Sequence, residues 1–138
     1  MIELLLYAKA FIGVPYVWGG DNPFTGFDCS GYIQYVLQSV GEDPKGDQTA
    51  QSLYYHFKEE GKEALVSPGA LVFYGKSENH ITHIAMAIDT FRVIEAGGGG
   101  RNNKSIEDCK KNGACVRIRP YNHRKDVVAV IMPSYSLL

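Results

Sequence analysis

Asp28-Cys29-Ser30-Gly31-Tyr32 sets a thiol at the junction of two different stretches of chain. Before it lies a Gly- and Pro-rich segment, Gly19-Gly20-Asp21-Asn22-Pro23 and then Thr25-Gly26; after it comes an apolar run at helical spacing, Tyr32, Ile33, Tyr35, Val36, Leu37 and Val40. A thiol at a helix start meets unpaired backbone N–H groups and the positive end of the helix dipole. Both favour the thiolate, which is the nucleophilic form. The competing reading is a buried cysteine that fills space as a small hydrophobe. The pentapeptide alone does not separate the two.

A cysteine nucleophile needs a base within hydrogen-bond reach, and the base needs a third group to orient it. The chain has four histidines. His56 falls at the polar end of a helical segment and reads as a surface residue. His80 lies among Ser77-Glu78-Asn79, and His123 in the loop-like Tyr121-Asn122-His123-Arg124. His83 differs, because it opens an apolar strand on the opposite side from Ile84, Met86 and Ile88. Imidazole titrates near neutrality, so it can take a thiol proton and return it to a leaving amine. Glu95 sits in the next strand, across a short turn at Asp89-Thr90-Phe91 that makes the two positions ladder neighbours. A carboxylate there accepts the second imidazole N–H, fixes the tautomer and stabilises imidazolium. The ordinary alternatives are a histidine and a glutamate that face solvent.

The elements that must carry these groups follow from periodicity. Residues 3–12 place Leu4, Leu5, Ala8, Phe11 and Ile12 on one helical face, stopped by Gly13-Val14-Pro15. A second helix runs from about Asp28-Cys29 to Gly41, with Asp28 and Ser30 as candidate caps. A third spans 47–60, capped by Asp47 and stopped by Gly61. The period then changes. Ala70–Tyr74, Thr82–Asp89, Arg92–Ala96, Cys115–Arg119 and Val127–Met132 read as strands. Helices first and strands later predict an α+β domain with a mainly antiparallel sheet of about five strands.

The chain's 138 residues and 45% hydrophobic content fit one globular domain spanning 1–138. No apolar run reaches the length of a membrane span. Residues 1–90 carry 5 Lys/Arg against 11 Asp/Glu, and residues 91–138 carry 9 against 4. A basic C-terminal part could face an anionic polymer, but no arginine-rich run or stacking platform argues for nucleic acid. Three cysteines leave at least one outside any intrachain disulfide. Cys109 and Cys115, around Lys110-Lys111-Asn112-Gly113, either bridge a short loop or stay free, and free thiols are the expectation. Met1-Ile2-Glu3-Leu4-Leu5-Leu6 has no basic start, and Lys9 interrupts the apolar stretch. It is therefore read as lacking a secretory signal, which leaves delivery to another route such as a phage. Gly97-Gly98-Gly99-Gly100 lacks the Gly-Lys-Ser/Thr of a phosphate loop and reads as a flexible loop beside the cleft. Cys29 with His80 and His83 has no metal-ligand spacing of any force, so neither metal nor cofactor is expected.

Taken together, Gly13-Val14-Pro15-Tyr16-Val17-Trp18-Gly19-Gly20, Phe27-Asp28-Cys29-Ser30-Gly31, Pro68-Gly69-Ala70-Leu71-Val72-Phe73, His83-Ile84-Ala85-Met86 and Val93-Ile94-Glu95-Ala96 resemble the NlpC-type family of bacterial cell-wall cysteine peptidases. The resemblance covers about residues 5–100, and the order and spacing of the motifs are more specific than any one of them. It implies a compact papain-like fold, Cys29 as nucleophile and His83 as base. It also implies that Tyr16 points its hydroxyl into the site, near the oxyanion or the substrate amine, with Asp28 and Ser30 helping to receive that amine. The third catalytic position is usually His, Asn or Gln in that family, and here it is Glu95. Ala70 stands where Asp commonly follows Pro-Gly, which reads as a structural change. The implied activity is hydrolysis of an amide bond in peptidoglycan stem peptides by a monomer. The competing readings are an acyltransferase or deamidase acting on a protein, and a catalytically silent wall- or virion-binding module. The thiol-before-histidine order argues against permuted lipid acyltransferase relatives, and the intact Cys29–His83 pair argues against the silent module.

Overall fold

In the computed structural model, which describes residues 1–99 and 102–136, helix α1 covers Ile2–Lys9, α2 Cys29–Gln38 and α3 Ala50–Glu60. Two-residue strands β1 (Asp21–Asn22) and β2 (Gly26–Phe27) form a hairpin just before α2. The larger sheet is built from β3 (Gly61–Glu63), β4 (Leu71–Gly75), β5 (Ile81–Ala87), β6 (Arg92–Gly97), β7 (Cys115–Pro120) and β8 (Val127–Pro133). Its order is β3-β8-β4-β5-β6-β7, and its pairings are antiparallel. A fourth helix, α4 (Ile106–Asn112), interrupts the strands between β6 and β7. The molecule is thus α+β, with six strands in the main sheet where the sequence suggested about five. The strand that periodicity missed is β3. It lies at the sheet edge, with Lys62 and Glu63 exposed, and so carries no apolar alternation to read. Among the described residues, no helix is long and apolar enough to cross a membrane.

Asp28 starts α2 as its cap, its carboxylate accepting the Gly31 N–H at 2.7 Å. Ser30 lies inside the first turn instead. Tyr32, Ile33, Val36 and Leu37 bury the apolar face of this helix, and the Tyr32 hydroxyl donates to the Ala8 carbonyl at 2.8 Å, tying α2 to α1. Beyond Gln38 the expected helix tightens: Ser39, Val40 and Gly41 donate to carbonyls three residues back. The end of α1 does the same, Phe11 and Ile12 donating to Ala8 and Lys9. Helix α3 is capped by Thr49, not by Asp47. Thr49 and Ser52 satisfy each other's backbone N–H groups at 3.0 and 2.8 Å, a reciprocal box that fixes the start two residues later than expected.

Both faces of the sheet are covered. Leu71, Phe73, Ile84, Met86, Ile94 and Ile131 pack with the helices. Ala70, Val72, Tyr74, Ala85, Ala87 and Val93 form a second cluster on the other side. Ala70 is fully buried there, in keeping with a structural role. Because side chains alternate along a strand, His83 and Glu95 belong to this second face.

Candidate active site

Cys29 is the first residue of α2 and is partly buried. The loop before it is folded back so that the Asp28 N–H donates to Gly20 O at 2.9 Å and the Val17 N–H to Phe27 O at 2.9 Å. This brings Gly20 so close to the helix that a Cβ on residue 31 would overlap the Gly20 carbonyl oxygen and lie 2.8 Å from the Asp28 carboxylate. Glycine at 31 is therefore required by the loop that presents the thiol. Gly31→Ala is expected to destabilise the protein by about 1–3 kcal/mol through overpacking, seen as a lower denaturation midpoint. An unchanged midpoint would mean that the loop moves aside at no cost.

His83 sits on β5 and is 7% exposed. Its Nε2–H donates to Glu95 Oε1 at 2.9 Å, which leaves Nδ1 for the thiol. Burial opposes a charge on this ring. Hydrogen bonding and charge from Cys29, then from Glu95, outweigh it and raise the His83 pKa to about 9. The pairing of β5 with β6 matches Met86 with Ile94 and Ala87 with Val93. Continued, that register sets Glu95 diagonal to His83 on the same face.

Glu95 is 0% exposed. Both of its oxygens are occupied. Oε1 accepts from His83 and also from His123 Nε2–H, at 2.8 Å, while Oε2 accepts from the Arg117 guanidinium at 3.2 Å. Arg117 is Glu95's direct partner across the β6–β7 ladder. Burial disfavours the carboxylate, but His83 and His123 more than offset it and hold its pKa at about 2. Glu95 is thus an ionised acceptor at neutral pH. Glu95→Gln keeps an oxygen for His83 and His123 but turns an N–H₂ toward Arg117, a donor. We expect it to retain about 1–10% of kcat/KM, and Glu95→Ala to fall below it, the scale of losing an outer partner that orients a functional histidine. Equal, near-wild-type values for both variants would make Glu95 a structural residue only.

Tyr16 is 6% exposed and lies beside this pair. Burial, then charge on Cys29 and on Asp28, pushes its hydroxyl pKa well up, so it is a neutral donor. Its backbone is clamped: its N–H donates to Ala114 O at 3.1 Å, and its carbonyl accepts from Asn103 Nδ2 and Cys109 Sγ. A Cβ on Gly99 would overlap the Tyr16 ring, so the turn at Gly97–Gly99 closes against it. Gly100 lies outside the described residues. Ser30 is buried and donates to Asp28 Oδ1 at 3.3 Å. Burial raises the Asp28 pKa in spite of the bonds from Gly31 and Ser30. Asp28, the cap of the thiol's helix, and Ser30, in its first turn, thus flank Cys29.

A cavity of about 240 Å³ opens at this centre, lined by Tyr16, His83, Glu95, Arg117, His123, Arg124 and the Gly97–Gly99 turn. A larger groove, about 680 Å³, runs along Gly75–Asn79 and Asp126–Val128 and includes neither Cys29 nor His83. The smaller one holds His83 and Glu95. His80 stays apart in an exposed turn, its Nδ1 3.2 Å from Ser77 Oγ. His56 lies on α3, stacked edge-on against Phe57. The three thiols are free, and Cys109 is buried in α4 rather than placed in a loop. Among the described residues, no group of three or more His, Cys, Asp and Glu is arranged to hold a metal ion. Two functional neighbours escaped sequence reasoning, Arg117 and His123. His123 was read as a loop residue; it ends a short 3₁₀ turn, Tyr121–His123, that points it at Glu95.

The NlpC/P60 family profile matches residues 13–119. The chain is 35% identical over 106 residues to "Probable endopeptidase p60" of Listeria grayi, covering 77% of this chain and 19% of that protein. It is 36% identical over 95 residues to "Bifunctional muramidase/DL-endopeptidase CwlT" of Bacillus subtilis, covering 67% and 28%. The chain therefore spans well under a third of the length of these curated relatives. Among solved structures, the NlpC/p60 domain of the peptidoglycan hydrolase SagA superposes with a TM-score of 0.65 at 30% identity, covering 93% of this chain and 94% of that one.

Proposed function

The chain belongs to the NlpC/P60 family, and from that premise we propose that it is a cysteine peptidase that hydrolyses an amide bond in peptidoglycan stem peptides. The observation that carries the reading is the position of His83, whose ring is bound to a buried carboxylate through one nitrogen and whose charged form the helix-start thiol of Cys29 favours. The names of its relatives, endopeptidase and DL-endopeptidase, support the same substrate class.

In this reading the Cys29 thiolate attacks the amide carbonyl carbon. The carbonyl π pair moves onto oxygen, where the Cys29 backbone N–H and the Tyr16 hydroxyl donate to it; one such donor is worth about 3–4 kcal/mol. The His83 imidazolium, oriented by Glu95, gives its Nδ1 proton to the leaving amine as the C–N bond breaks. The neutral ring then takes a proton from water, which attacks the thioester. Collapse of that adduct expels the thiolate, releases a carboxylic acid and restores imidazolium. Asp28 and Ser30, beside the nucleophile, are placed to receive a free substrate amine. The enzyme works as a monomer.

The test is mass spectrometry of muropeptides released from isolated sacculi. The expected products are stem-peptide fragments bearing a new amine and a new carboxylate at one interior amide. Intact muropeptides together with a deamidated or acylated protein substrate would overturn the reading.

A further inference from the structure

A fully buried carboxylate must be paired or it takes a proton. Glu95 has more partners than orientation of one imidazole requires. Oε2 is held by Arg117, and Oε1 is shared by two histidines, His83 at 2.9 Å and His123 at 2.8 Å. His83 must change between imidazolium and imidazole in each catalytic cycle. Were it the only donor to Oε1, the bond that fixes Glu95 would weaken each time the ring lost its charge. His123 supplies a second N–H to the same atom and takes no part in the proton transfers.

His123 is itself held firmly. Its side chain is 10% exposed. The turn that carries it is anchored at Tyr121, whose carbonyl accepts the Tyr74 hydroxyl at 2.7 Å and whose N–H donates to Phe91 O at 2.7 Å. The buried Tyr74 ring also buttresses both imidazoles, with centroids 5.3 Å from His83 and 5.9 Å from His123. One tyrosine thus sets the spacing of two histidines about one carboxylate oxygen.

We propose that His123 is a positioning residue of the catalytic centre, keeping the Glu95 carboxylate fixed while His83 gains and loses its proton. The proposal rests on the reading of Cys29 and His83 as nucleophile and acid–base group. It assigns a role to a fourth residue, 28 positions beyond Glu95 in the chain.

The test needs a readout that a merely structural histidine would not move, and one that does not depend on the substrate. The first readout is the rate of iodoacetamide labelling at pH 6, localised to Cys29 by peptide mass spectrometry. The second is kcat and KM for muropeptide hydrolysis. His123→Ala is expected to slow labelling and lower kcat by about tenfold, with KM unchanged. His123→Gln, whose amide nitrogen reaches about as far as Nε2, is expected to come back to within about threefold of wild type. In a Glu95→Ala background, His123→Ala should add no more than about twofold, because its route to His83 has already been cut. Wild-type labelling and kcat in His123→Ala would overturn the proposal. So would failure of His123→Gln to recover, or losses that multiply in the double variant. If His123→Ala does not fold, His123→Gln decides. Labelling uses no peptidoglycan, so an enzyme with another substrate would still answer the question about His123.

Discussion

Cys29→Ala is expected to abolish muropeptide release while leaving the fold intact. Removing the nucleophile of a hydrolytic triad costs about 10⁶-fold in kcat, which would put the variant below detection. Alanine suits the first turn of α2. It keeps the backbone N–H, and the Asp28–Gly31 cap bond does not involve the residue 29 side chain. The melting midpoint should therefore stay close to wild type, which separates loss of chemistry from loss of structure. The other thiols serve as controls. The Cys115 thiol makes a long contact to Gly113 O at 3.9 Å, so Cys115→Ser should be fully active. Cys109→Ser is the sharper control, because that thiol touches the Tyr16 carbonyl beneath the site. A serine hydroxyl can donate to the same oxygen, so most activity should remain. Loss of turnover in folded Cys109→Ser, with activity kept in Cys29→Ala, would reverse the assignment.

Residues within one element and its neighbour were the ones legible in the sequence. Cys29 could be read because an apolar helical run begins just after it, and His83 and Glu95 because a short turn joins two alternating strands into a hairpin. His123 obeys no such period. It reaches Glu95 only because the chain turns after Pro120 and is clamped there by Tyr74 of β4 and Phe91 of the β5–β6 turn. Arg117 was nearer to hand, since it alternates with Val116 and Ile118 in a strand that was expected. Its register on Glu95 was hidden by α4, a helix too short to show an apolar stripe. The signals for α4 were local: Ser105 accepting from the Asp108 N–H, and Gly113 at φ 67° as its stop. The choice of Thr49 over Asp47 had the same character. Either can cap a helix, and Ser52 three residues on from Thr49 decided it.

A glutamate at 95, where the family usually has His, Asn or Gln, also becomes intelligible once its surroundings are seen. A neutral His, Asn or Gln can orient an imidazole without further support. A buried carboxylate cannot, since its charge must be balanced inside the protein. Arg117 supplies the opposite charge, and His123 a further N–H. The acidic residue and its two basic partners therefore make sense only as a set. Restoring a neutral residue at 95 would leave the Arg117 guanidinium facing the cavity with no anion.

The second large effect is expected at His83, and pH exposes its cause. Burial works against the imidazolium, but Cys29 and then Glu95 outweigh it and carry its pKa from the ordinary 6.5 to about 9. Leaving-group protonation needs the imidazolium, so the alkaline limb of kcat/KM is expected near pH 9, not near 6.5. Glu95, held at about 2, stays ionised throughout and contributes no limb in the working range. The same shifts set the stability profile. A raised histidine pKa stabilises fully below about 6.5, and that contribution is lost as pH rises through about 9. A lowered carboxylate pKa stabilises fully above about 4.5, and that contribution is lost as pH falls through about 2. From these two groups, the melting midpoint should be level between about pH 4.5 and 6.5 and fall on either side. His83→Ala should lose turnover by about 10⁶-fold, the scale of removing a triad's base. It should also remove the alkaline decline in stability. Iodoacetamide labelling of Cys29 supplies the direct test. At pH 6, where the His83 ring is charged, the wild-type thiol is expected to be labelled faster than the thiol of His83→Ala. The loss should be incomplete, because the amides at the start of α2 still face the sulfur. Equal rates would sink the ion pair and leave His83 as a base that acts only once substrate is bound.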